Sequence, residues 1–268
     1  MVRKNNWEFI KYIMKICFAT EVTYENYVNR IKKSSLSWFL ERELDKRGIS
    51  YYISTNLPNN FNEYSDNDSI KVFDIEDLRK NHPTSKQYEL FPEDPRGLYP
   101  SKYPWNMRRF IIEKAAQDGY DYVIYIDADN MVIPHLTTDD IINTLVATYE
   151  PNVVSTNSAV FRYEGRKPDD VFQYHDKYIE HFNLNFKDEQ YDTIDGPVQV
   201  FMGNTNEDIL RFTSNWHKFT DFGYAQELGF GYGNNKHGNL SFVIPVSNFK
   251  LEWKGFPFSP HHRPEDRY

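Results

Sequence analysis

One cysteine, Cys17, stands in 268 residues. An intramolecular disulfide is therefore excluded, and a reducing, cytoplasmic setting is the expectation. A single cysteine in an apolar run reads as a small buried residue. No apolar stretch approaches the length of a membrane span. The opening MVRKNNWEFIKYIMK is charged and lacks the uninterrupted apolar segment of a secretion signal, so residues 1–13 read as an extension. Residues 14–268 read as a single domain. Lys/Arg runs are missing too, and with a net charge of -8 this argues against a broad basic face for nucleic acid. G-x-G-x-x-G, G-x-x-x-x-G-K-[ST], H-E-x-x-H and G-x-S-x-G do not occur.

Aromatic residues are abundant. Twenty Tyr and twenty Phe, in a chain that is 40% hydrophobic, suffice for a substantial core and exclude a disordered chain. They also provide flat surfaces for sugars and bases.

The fold class follows from alternation. Ile16 to Thr20 is a short apolar run and Ile49 to Ser54 a second expected strand, separated by helical spacing over Thr23 to Arg47 that Gly48 terminates. A further strand is expected at Ile70 to Ile75. Helix is expected over 105–117, strand at Tyr122 to Ile126, helix over 138–149, and strand within 153–163. Helix over 169–182, strand at Val198 to Met202 and helix from Thr205 to about Phe219 follow, with one more strand after Leu240. Strand, helix, strand at this spacing predicts an α/β domain on a mostly parallel sheet flanked by helices. Glu76 to Pro104, with five prolines, reads as a long loop and a candidate lid over the site.

The chemistry is concentrated at Asp127-Ala-Asp129. An apolar strand closing in two carboxylates puts them at the carboxyl edge of a parallel sheet, where open α/β folds bind ligands. Two Asp one residue apart can turn toward one hard cation, and oxygen donors suit Mg2+ or Mn2+. Such an ion neutralises charge on a departing diphosphate.

Read in sequence, ICFAT, then WNMRRFIIEKAAQDGYD, then YVIYIDADNMV resembles the GT-A class of glycosyltransferases. The resemblance runs through the first half of the chain. It implies a GT-A (Rossmann-like) fold, a nucleotide-sugar donor (UDP by class) and a D-x-D metal site at Asp127 and Asp129. The nucleotide would lie against Ala19, Thr20 and Glu21, with Arg108 or Arg109 meeting the diphosphate. Retaining members often add a C-terminal His ligand, which implies His261 or His262, with His237 behind them. In the second half VFMGNTNEDILRF looks like the acceptor side of some retaining members, implying Gly203 and Asn204 at the sugar site and Trp216 as a stacking surface. Glu227, or Asp195 at a turn, is the candidate catalytic acid, acting as nucleophile or stabiliser of positive charge. Retention is the expected stereochemistry. The acceptor stays open among a glycan, a protein, a lipid headgroup and a modified DNA base. Two rivals share the pattern: a haloacid-dehalogenase-type phosphatase, whose motif normally opens the domain, and a noncatalytic sugar- or nucleotide-binding protein.

Overall fold

The structure is a computed structural model that describes residues 15–23, 25–80, 107–128, 151–155, 175–184, 198–225, 243–244 and 246–253. Seven strands make one sheet: β1 Ile16–Val22, β2 Ser50–Thr55, β3 Ile70–Asp74, β4 Tyr122–Ile126, β5 Asn152–Ser155, β6 Val198–Met202 and β7 Lys250–Trp253. Their order across the sheet is β3-β2-β1-β4-β6-β5-β7. β1 to β4 are mutually parallel, β6 is antiparallel to both β4 and β5, and β7 is parallel to β5. The expected α/β class with a mostly parallel sheet is observed. Six α-helices accompany the sheet among the described residues: α1 Glu25–Lys33, α2 Ser35–Glu41, α3 Ile75–Lys80, α4 Arg108–Gln117, α5 His175–Phe182 and α6 Asn206–Ala225. None is long and apolar enough to cross a membrane.

Period-2 alternation divides the central strands between two cores. Ile16, Phe18, Tyr51, Ile53, Ile124 and Ile126 face Val28 and Ile31 of α1 and Leu36 and Phe39 of α2. Cys17, Ala19, Tyr52, Val123, Tyr125 and Phe201 face Ile111 and Ala115 of α4 and Phe212 and Trp216 of α6. Because both faces are covered, β2 and β4 are buried throughout; β4 reads as an unbroken apolar run, whereas β2 carries Ser50, Ser54 and Thr55. At the margin, β3 exposes Lys71, a charged residue on an edge strand.

The helix expected over 23–47 is broken. α1 ends at Lys33, Ser34 leaves helical backbone, and α2 restarts at Ser35. The break puts the Ser35 hydroxyl 2.7 Å from the Tyr51 hydroxyl in the core. Gly48 does end this region, at φ +78°. The loop expected from Glu76 begins instead as α3. Asp74 Oδ1 accepts from the Glu76 N–H at 2.8 Å, and Arg79 pairs with Glu76 one turn on. The rest of that expected lid, the helix expected over 138–149 and the extension 1–13 lie outside the described residues.

This connectivity positions the site. α1 and α2, between β1 and β2, pack on one face of the sheet. α4, which leads into β4, packs on the other. β2 and β3 extend the sheet on one side of β1 while β4 lies on its other side, so the strand order reverses at the adjacent carboxyl ends of β1 and β4, and the crevice there is a topological switch point. Inside it the Thr20 hydroxyl donates to the Ile126 carbonyl at 2.7 Å, tying the two strand ends together.

Candidate active site at the carboxyl edge

Asp127 follows β4 directly, and its side chain is 18% exposed. Its Oδ1 lies 3.7 Å from Nη1 of Arg108, and the same nitrogen donates to Gln199 Oε1 at 3.2 Å. Gln199 sits opposite Tyr125 in the β4–β6 ladder, so its side chain emerges on the α4 face beside the Tyr125 ring. Arg108 covers that ring at 5.0 Å.

Arg109 is held separately. Its Nε–H donates to Nδ1 of His217 on α6 at 2.8 Å, and His217 Nε2 lies 3.0 Å from Glu113 Oε2. Both arginines are almost wholly buried, at 2% and 1% exposure. They open α4, where the helix dipole disfavours cations. Buried charge at a helix end of the wrong sign requires compensation, and Asp127, Glu21 and Glu113 provide carboxylates around the pair. Breaks of a local rule of this kind concentrate at functional or strained sites.

Glu21, at the end of β1, is the third acidic group. Its Oε2 is buried without a hydrogen-bond partner among the described residues. Burial pushes its carboxyl up to about 8; Arg108 opposes this and the Asp127 charge adds to it. Three more buried polar atoms that have no hydrogen-bond partner among the described residues belong to the same edge: Ser54 Oγ, Asn56 Oδ1 and Gln199 Nε2. Ser54 is the register partner of Glu21, so the two side chains share a face. Buried polar atoms are almost always satisfied, and a cluster of exceptions at a switch point suits a polar ligand.

An acid with a raised native pKa binds more protons folded than unfolded. Native stability therefore falls as pH climbs from the carboxyl range toward about 8. Glu21→Gln cannot ionise. In EDTA, the melting temperature of wild type should fall relative to Glu21→Gln between about pH 5 and about pH 8. Parallel curves over that range would contradict the raised value.

The structure brings together Thr20, Glu21, Arg108, Arg109 and Asp127 of the residues expected from sequence. Ala19 is one residue too deep: its side chain packs between Tyr52 and Tyr125 and meets only core. The Thr20 hydroxyl is committed to Ile126. Gly203 and Asn204 are a correction. β6 runs antiparallel, so its C-terminal end lies beside Tyr122, at the opposite edge of the sheet from Asp127. There the Gly203 N–H donates to the Asp121 carbonyl at 2.9 Å, and the Asn204 N–H donates to Asp208 Oδ2 at 2.9 Å. Trp216 is a second correction, because it is fully buried against Phe201 and Phe212 and presents no face for stacking. Asp129, Asp195, Glu227, His237, His261 and His262 lie outside the described residues.

Sequence reasoning missed Ser54, Asn56, Glu113, Gln199 and His217. Gln199 carried a usable signal: a primary amide inside the apolar run VQVFM is costly unless engaged. Glu113 follows Arg109 by one helical turn. His217, within an apolar helix face, carried none.

The edge also bears on a metal. Among the described residues no group of three or more His, Cys, Asp or Glu side chains could hold a metal. The acidic groups near the switch point, Asp127 and Glu21, offer only oxygen, and their like charges work against each other. Oxygen-only donors with mutual repulsion fit a hard divalent cation such as Mg2+ or Mn2+. No protein-family model matches the chain, and no curated protein sequence matches it.

Proposed function

We propose that the chain is a metal-dependent glycosyltransferase of GT-A type that takes its sugar from a nucleoside diphosphate sugar, with UDP as the nucleotide. The observation that carries this reading is the pairing of the strand-end carboxylate Asp127 with the buried Arg108 at a switch point, with a second buried arginine, Arg109, next to it on α4. A diphosphate group needs that combination: cations to balance its charge, and a carboxylate to hold the divalent ion it brings.

In this reading Asp127 and Asp129 would hold Mn2+ or Mg2+, which would supply positive charge to balance the nucleoside diphosphate leaving group. Arg108 and Arg109 bind the same diphosphate. Their burial lowers the local dielectric and strengthens each charge interaction relative to water. Gln199 holds Arg108 from one side, so the guanidinium is oriented before the donor arrives. Glu21, Ser54 and Asn56 offer hydrogen-bonding atoms to the nucleoside end of the donor.

The test is thermal denaturation with nucleotides, followed by turnover. UDP with Mn2+ should raise the melting temperature more than UDP alone, since a ligand at a hundredfold its Kd adds about 2.7 kcal/mol. A larger rise with GDP, CDP or dTDP would change the base and keep the class. Hydrolysis of p-nitrophenyl phosphate without nucleotide binding would replace the reading with a phosphatase. Nucleotide binding without hydrolysis or transfer of any UDP-sugar would leave a binding protein.

A further inference from the structure

Arg109, His217 and Glu113 form a line of three side chains in the interface between α4 and α6, with separations of 2.8 Å and 3.0 Å. The chemistry of the line fixes its protons. A guanidinium carries only donors, so the Nε–H of Arg109 must donate and His217 Nδ1 must accept. Nδ1 is therefore bare. A carboxylate only accepts, so the contact with Glu113 requires the proton on Nε2. From this geometry we infer that His217 is a neutral imidazole in the Nε2–H form, and that it serves as a positioning residue which holds Arg109 for an anionic phosphate group. The second half of that statement rests on the glycosyltransferase reading; the first half does not.

The orientation of Arg109 explains why such a holder is useful. Arg109 and His217 are both almost wholly buried, and the Phe110 ring lies 4.3 Å from the guanidinium carbon and 5.1 Å from the imidazole. Binding through Nε engages one edge of the planar guanidinium and directs the edge with both terminal nitrogens away from His217. The charge of Arg109 reaches the Glu21 carboxyl at the end of β1. A carboxylate in place of His217 would neutralise Arg109. A neutral acceptor fixes its direction without itself cancelling the charge that a phosphate-binding arginine requires. Glu113 supplies the orientation of the imidazole, as a third group does for a catalytic histidine.

Two measurements test this. In protein labelled with 15N-histidine, with His217 assigned by comparison with His217→Gln, the imidazole should show a bare Nδ1 and a protonated Nε2 at neutral pH. A proton on Nδ1, or on both nitrogens, overturns the inference. The second measurement compares UDP, inorganic pyrophosphate and uridine by calorimetry in the presence of Mn2+. His217→Leu removes the acceptor and should weaken UDP and pyrophosphate by about tenfold or more, leaving uridine unchanged. His217→Gln, with one acceptor and one donor, should restore most of the loss. Equal weakening of UDP and uridine, UDP binding at wild-type strength in His217→Leu, or failure of Gln to rescue would each refute the positioning role. If wild type binds neither UDP nor pyrophosphate, the glycosyltransferase reading falls together with the phosphate role, and the nitrogen shifts still decide the tautomer.

Discussion

Asp127→Asn is expected to lower sugar transfer on the order of a hundredfold to a thousandfold while the protein stays folded. Asn keeps the shape and one acceptor oxygen near Arg108, so the contact at 3.7 Å can persist in neutral form. What is lost is the negative charge. A hard divalent ion would bind a carboxylate far better than an amide, so the positive charge it would supply to the diphosphate beside Arg108 and Arg109 is lost. Asn is the better test than Ala because Arg108 is buried. Deleting its carboxylate neighbour outright would leave a less compensated cation in a low dielectric and confuse lost folding with lost chemistry. The expected pattern is a melting temperature close to wild type, a transfer rate near background, and no further loss of the variant in EDTA. Wild-type activity in Asp127→Asn, or undiminished wild-type activity in EDTA, would remove the metal from the mechanism.

The second large effect is on stability, at the other edge of the sheet. A Cβ at Gly203 would stand 2.2 Å from the Thr205 carbonyl oxygen and 2.9 Å from Asp208 Cβ. Neither neighbour can yield cheaply. Thr205 contributes main chain to the first turn of α6 through its bond from the Asp208 N–H, and Asp208 accepts from the Asn204 N–H. Gly203→Ala should therefore destabilise by about 3 kcal/mol, through overpacking of a rigid turn. That corresponds to a fall of roughly 6–10 °C in melting temperature for a chain of this size. Affinity for UDP should be unchanged in the folded fraction, because Gly203 flanks Asp121 and lies far along the strands from Asp127. Asn204→Ala preserves the main-chain bond and should stay within about 0.5 kcal/mol of wild type. An unaltered melting temperature with an altered KM for acceptor in Gly203→Ala would return Gly203 to the sugar site.

Much of this protein is written locally. YVIYI and VQVFM are legible as β4 and β6 because a strand covered on both faces is dominated by apolar residues. Asp127 is legible because carboxylates closing such a run have few other roles at a sheet edge. α3 was legible as well, in the Asp74 cap, the acidic first turn and the basic last turn, although five prolines further on suggested a loop from Glu76.

Other features are not properties of any segment taken alone. The direction of β6 is one: nothing in VQVFM says whether it pairs parallel or antiparallel with β4. That choice decides whether the residues after it lie beside Asp127 or at the far edge with Asp121. Burial of Arg108 and Arg109 is another. In sequence they open a helix and suit a solvated face, but the packing of α4 against the sheet and α6 encloses them with Gln199 and His217, which lie 91 and 108 residues away. Sequence alone determined which stretches must be apolar, and hence the strands and the carboxylate that ends one of them, because those demands act on neighbouring residues. The tertiary structure decided which polar side chains meet, because a hydrogen bond at 3 Å depends on strand direction and helix placement that long-range packing sets.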